Sequence, residues 1–196
     1  MPKITKPEHV YLDTSIFLDY IKRNVKTALK EAIIQIRKRN GETIRAIAVR
    51  APLGHSFNEL SNLKMLGIVE YFISPLTIAE VVRNLRKDCS VSEKETIECW
   101  NVFRSILELK YTKNNRIEIT DEILNIILKY PPKKNIQDML NIFLAKQNDC
   151  SFLTADKLEG NLLKLKENFY EKIMPLKDFL KMMDKKYYKY LRQLRP

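Results

Sequence analysis

Four acids stand beside apolar runs whose rhythm changes from strand-like to helical. In "HVYLDTSIFLDY", residues 9–20, Asp13 separates Val10, Tyr11 and Leu12 from Ile16, Phe17 and Leu18. Glu80 follows "YFIS" within "PLTIAEVV", Asp138 lies near the start of "NIQDMLNIFLAKQ", and Asp156 comes two residues after "SFLT". A carboxylate at an apolar junction is costly to bury unless something pairs with it. Each acid has a plain structural account. Thr77 with Glu80, Asn135 with Asp138, and Asp156 with Glu159 have capping-box spacing, and Asp13 could cap the helix after it. Such carboxylates gain a few tenths to about 1 kcal/mol from the helix dipole. Taken singly, capping accounts for Glu80, Asp138 and Asp156. Taken together, the four acids would line one edge of a parallel sheet, because helix starts follow the carboxyl ends of the strands. Open α/β sheets bind ligands at that edge. Carboxylates converging there repel and raise one another's pKa. A divalent cation removes the conflict, and on this reading Asp13 is a metal ligand. Ser15 and Thr154, each two residues from an acid, could orient a carboxylate or a metal-bound water, or make a turn or helix-cap hydrogen bond; the first reading is preferred for Ser15 and the second for Thr154.

Two isolated histidines, His9 and His55, and three cysteines without a CxxC pair, Cys89, Cys99 and Cys150, do not make a Cys/His zinc site. A metal held by carboxylates would be a hard cation, magnesium or manganese. The unpaired cysteine count fits reduced core thiols. No apolar run is long enough to cross a bilayer and no signal-peptide core precedes the first strand, so a cytoplasmic protein is expected. The formal charge of +11 over 196 residues suggests a polyanionic partner, most simply nucleic acid, although a solvated lysine-rich surface would give the same sum.

The elements that must position the acids alternate. Strands are expected over His9–Leu12, Tyr71–Ser74, Arg116–Ile119, Ser151–Thr154 and Lys172–Pro175. Helices are expected over 15–23, 25–40, 56–69, 77–87, 92–110, 121–130, 136–148, 159–169 and 176–192, with 42–52 ambiguous. This order predicts a single α/β domain: a three-layer α/β/α arrangement with a central, mostly parallel sheet of four or five short strands. Glycine-rich nucleotide cradles are absent, with only four glycines in the chain.

The blocks "VYLDTSIFLDYI", "ISPLTIAEVVRNL" and "NIQDMLNIFLAKQNDCSFLTADK" resemble the PIN domain, a family of metal-dependent nucleases that includes VapC-type toxins. "RIEITDEILNIILKY" resembles the strand and helix that usually precede the last block. The likeness covers about 9–23 and 71–180. It implies an acidic cluster of Asp13, Glu80, Asp138 and Asp156 with Ser15 as a small polar helper. It also implies one or two Mg²⁺ or Mn²⁺ ions and endoribonuclease chemistry that leaves a 5′-phosphate and a 3′-hydroxyl. A metal lowers the pKa of a bound water and stabilises both oxygens of an in-line displacement. An antitoxin peptide and a homodimer are further partners the likeness suggests. Many members carry another acid just after the fourth, whereas here the nearest is Glu159. The stretch from Asp13 to Glu80 is longer than in compact toxin-like members, leaving a helical insertion at about 24–70. A catalytically weak RNA-binding module on the same scaffold is the alternative. Lys22, Lys26 and Lys30, "IRKRN", Arg83, Arg86 and Lys87, and Lys133 and Lys134 could hold a phosphate backbone. The basic tail at about 176–196 carries Tyr187, Tyr188 and Tyr190, which could stack bases or pack on the domain.

Overall fold

The computed structural model describes residues 6–18, 55–88, 92–130 and 136–191. Five strands form one all-parallel sheet: β1 (Glu8–Leu12), β2 (Val69–Ile73), β3 (Lys110–Tyr111), β4 (Ser151–Thr154) and β5 (Ile173–Pro175), in the order β3-β2-β1-β4-β5. The helices are α1 (described over 14–18), α2 (His55–Met65), α3 (Pro75–Asp88), α4 (Glu93–Leu107), α5 (Asp121–Lys129), α6 (Ile136–Gln147), α7 (Gly160–Asn168) and α8 (Leu176–Leu191).

Strand side chains alternate between two cores, which makes the fold three layers. Val10 and Leu12 of β1, Val69, Tyr71 and Ile73 of β2, and Leu153 of β4 pack with α2, α3, α4 and α8. Tyr11, Phe72, Phe152 and Ile173 point the other way and pack with α5, α6 and α7. Strands buried on both faces explain why the sequence reads as continuous apolar runs rather than as clean alternation. The strand order places β1 at the centre. The chain winds outward from β1 through β2 to β3, then returns to the other side of β1 with β4 and β5. The switch point of the sheet therefore lies between the carboxyl ends of β1 and β4.

Three helices feed the next strand through the same turn. After α2, the Ile68 N–H donates to Leu63 O and the Gly67 N–H to Lys64 O, with Gly67 at φ +69°. After α6, the Cys150 N–H donates to Ala145 O and the Asp149 N–H to Lys146 O, with Asp149 at φ +51°. After α4, the Leu109 N–H donates to Arg104 O, with Glu108 at φ +46°. This is the Schellman ending, and in each case a buried residue, Ile68, Leu109 or Cys150, follows it.

Several expectations shift. Residues 116–119 form no strand; Arg116, Glu118 and Ile119 are exposed, and the edge strand is instead Lys110–Tyr111, paired through Phe72–Lys110 and Ile73–Tyr111. The helix expected over 56–69 stops at Met65, because Gly67 reverses the chain and β2 begins at Val69. The helix expected over 92–110 stops at Leu107 for the same kind of reason at Glu108. The helices expected at 25–40 and the ambiguous stretch 42–52 lie outside the described residues, as do Lys22, Lys26, Lys30, Arg37, Lys38, Arg39, Lys133 and Lys134. The described end of the 24–70 segment belongs to the first core, through Phe57, Leu60 and Leu63. The tail packs as an amphipathic helix: Leu176, Phe179 and Met183 are buried, Tyr187 rests against the same core, and Lys186 pairs with Glu8 at 2.5 Å.

Candidate functional site at the switch point

Asp13 follows β1 directly, and its backbone N–H donates to Leu153 O of β4 at 2.9 Å. That bond places the side chain at the switch point, where it is 3% exposed. One carboxylate oxygen, Oδ2, accepts from the Ser15 hydroxyl at 2.5 Å and the Thr154 hydroxyl at 3.0 Å. The other, Oδ1, is buried and has no hydrogen-bond partner. The two hydroxyls are themselves 3.0 Å apart and are fixed from behind. The Ala155 N–H donates to Ser15 Oγ at 2.9 Å, and the Asp156 N–H to Thr154 Oγ1 at 3.1 Å.

These surroundings raise the Asp13 pKa from its ordinary 3.8 to about 7. Burial is the main cause; the Ser15 hydroxyl opposes it, the charge of Asp138 adds to it, the Thr154 hydroxyl opposes it, and the charge of Asp156 adds to it. Asp138 and Asp156 thus lie within electrostatic reach of Asp13. Glu80 is tied in by the neighbouring residue: the buried Thr14 hydroxyl donates to Glu80 Oε2 at 2.7 Å. Arg83, one turn further along α3, lies 3.9 Å from Glu80 Oε1 and is exposed.

The structure removes the capping account from two of the acids. Helix α3 begins at Pro75, so its cap is Ser74, whose Oγ accepts from the Thr77 N–H at 3.3 Å. Glu80 stands in the second turn, beyond the reach of a capping box. Helix α7 begins at Gly160 after Glu159, with no side-chain cap bond, so Asp156 and Glu159 form no box either. Asp156 is an exposed loop residue two positions past β4. Asp138 is in the first turn of α6, where the dipole favours it; Asn135 lies outside the described residues.

A second polar layer lies beneath. The Tyr11 hydroxyl oxygen is 2.6 Å from Ser74 Oγ, 2.9 Å from Thr77 Oγ1 and 2.7 Å from Asn141 Oδ1. All four residues are buried, and burial holds the Tyr11 phenol well above its ordinary pKa. Asn141 Oδ1 can only accept, so it takes a hydroxyl proton; Asn141 Nδ2 meets no partner. Sequence reasoning assigned no role to Thr14, Tyr11, Ser74 or Asn141, gave Thr77 a capping role with Glu80, and preferred the turn bond for Thr154. The turn bond exists, and the same hydroxyl also reaches Asp13. An asparagine inside the apolar run "DMLNIFLA" was the available signal.

Among the described residues no three His, Cys, Asp or Glu side chains stand as a ready-made metal-holding group. The acids gather at one edge without closing around a point. The donor chemistry nonetheless fits a hard cation: the set is all carboxylate, and Asp13 Oδ1 is a buried acceptor with nothing to accept. Leaving such a group unpartnered costs about 1–3 kcal/mol, more for a charge, which a purely structural carboxylate would avoid. Cys150 is buried, and burial, its main perturbation, pushes its thiol up to about 12, so it is no nucleophile. Among the described residues no helix is long and apolar enough to cross a membrane. No family model, no curated protein and no solved structure matches the chain.

Proposed function

We propose that the chain is a metal-dependent endoribonuclease of PIN type that hydrolyses RNA phosphodiester bonds at the β1–β4 switch point. The observation that carries this reading is Asp13: a buried carboxylate with one oxygen clamped by two hydroxyls and the other unpartnered, within reach of the charges of Asp138 and Asp156 and next in the chain to Thr14, which holds Glu80. Asp13, Glu80, Asp138 and Asp156 would hold Mg²⁺ or Mn²⁺. The bound cation would supply charge stabilisation at the phosphorus centre and an acidified water. The chain's own part is positional. Ser15 and Thr154 fix the Asp13 carboxylate, Thr14 fixes Glu80, and the exposed side chains of Arg83, Arg86 and Lys87 lie along α3 where a phosphate backbone would approach. RNA is favoured as substrate by the net charge of +11 and by the family resemblance. A toxin role with a neutralising peptide, and pairing of two copies, rest on that resemblance alone.

The test is to sequence the ends of RNA cut by the wild-type chain and by Asp13→Asn. Cuts that depend on Asp13, stop in EDTA and return with manganese support the proposal; equal cutting by Asp13→Asn refutes it. A second reading, an RNA-binding module with little catalysis, is favoured by the absence of a closed three-acid group among the described residues. It predicts RNA binding that survives EDTA and leaves the RNA intact.

A further inference from the structure

Glu80 on α3 and Asp138 on α6 come from different layers of the fold, so something must fix how far each stands from Asp13. Helix α3 belongs to the first core through Val81 and Leu85, and α6 to the second through Met139, Ile142 and Phe143. They cover opposite faces of the sheet. The buried hydroxyl layer joins them: Thr77 is one turn before Glu80 on α3, and Asn141 is one turn after Asp138 on α6. Both converge on the Tyr11 hydroxyl, at 2.9 and 2.7 Å, and Ser74, the cap of α3, does so at 2.6 Å. Tyr11 itself is two residues before Asp13 on the central strand. One phenol thus ties the strand that leads into Asp13 to the helices that carry Glu80 and Asp138.

We propose that Tyr11 is a positioning residue for the divalent-cation site: its hydroxyl, through Thr77 and Asn141, sets how far Glu80 and Asp138 stand from Asp13. The inference rests on the metal-binding reading of the same edge. The layer spends buried polar groups on this, since Asn141 Nδ2 is left without a partner. A phenylalanine at residue 11 would fill the same space and remove only the hub.

The experiment is a manganese titration by calorimetry on the full chain, in wild type, Tyr11→Phe and Tyr71→Phe, with the unfolding temperature of each measured in EDTA. Tyr71 is the matched control. It is equally buried and donates its hydroxyl to Leu60 O at 2.9 Å, but in the first core and away from the acids. Tyr11→Phe is expected to weaken manganese about tenfold, the lower end of what supporting residues contribute to metal affinity. Tyr71→Phe should leave the affinity unchanged while lowering the unfolding temperature by a similar amount. Cleavage by Tyr11→Phe should recover as manganese is raised, moving the half-saturating metal concentration rather than the maximal rate. Wild-type affinity in Tyr11→Phe, or equal weakening in Tyr71→Phe, overturns the positioning role and leaves the nuclease reading standing. No manganese uptake by the wild type overturns both. Should Tyr11→Phe not fold, Thr77→Val removes one arm of the layer and must weaken manganese in the same direction for the proposal to survive.

Discussion

Replacing Asp13 by asparagine tests the site without any substrate, because a buried carboxylate leaves its mark on stability. Asp13 has an ordinary pKa of 3.8 that burial, above all, raises to about 7 in the folded chain. A proton held more tightly by the folded state favours folding where it is bound. That contribution is fully present below the unfolded value and is lost as the pH rises through the folded one, so stability falls between about pH 4 and pH 7. Each tenfold change in proton affinity is worth about 1.4 kcal/mol, which makes the charged carboxylate a burden of about 4 kcal/mol above pH 7. Asparagine does not titrate. Its Oδ1 can accept from Ser15 and Thr154, and its Nδ2 inherits the unpartnered position of the second carboxylate oxygen, at a cost of about 1–3 kcal/mol. Asp13→Asn should therefore be the more stable chain near pH 8 by about 1–3 kcal/mol, and no more stable than wild type near pH 4. At about 2–4 °C per kcal/mol for a chain of this size, thermal unfolding followed by circular dichroism in EDTA resolves the difference. A gap between the two proteins that is the same at both pH values, or a variant that is less stable at both, would refute the account of Asp13 as a strained, desolvated acid. Adding manganese should then raise the unfolding temperature of the wild type and leave the variant unmoved.

Ser15→Ala removes the hydroxyl that most favours the charged form of Asp13, so in EDTA the pH at which stability falls with the ionisation of Asp13 should move up by about one pH unit; an unmoved midpoint would separate Ser15 from Asp13. Gly67→Ala meets nothing within 4 Å of the added methyl, so its cost should be that of the left-handed backbone alone, about 1–2 kcal/mol by denaturant unfolding. Changing Arg83, Arg86 and Lys87 to glutamine should flatten the salt dependence of single-stranded RNA binding by about 0.7 in log–log slope for each phosphate no longer neutralised; an unchanged slope would place the RNA elsewhere.

Local pattern carried much of the fold. Strand β4 falls on the expected Ser151–Thr154, and the α6 start falls at the expected residue 136, because long apolar periods bounded by polar residues leave little freedom. The edge strand did not read correctly. Two exposed residues, Lys110 and Tyr111, have no period to detect, while residues 116–119 alternate without finding a strand to pair with. The helix end at Glu108 was hidden as well, since the left-handed turn there is not marked by glycine.

The residue types and their spacing, by themselves, put carboxylates near the carboxyl edge of a parallel sheet and made the hard-cation hypothesis. What the tertiary structure alone decided is which hydroxyl serves which acid. Thr14 and Glu80 are 66 residues apart, Tyr11 and Asn141 are 130 apart, and Ser15 and Thr154 are 139 apart. Those pairings follow from β1 lying between β2 and β4, a strand order that no local period encodes. Hydrogen bonding and desolvation act over a few ångströms of space rather than along the chain, so the buried state of Asp13 came into being only when the sheet closed around it.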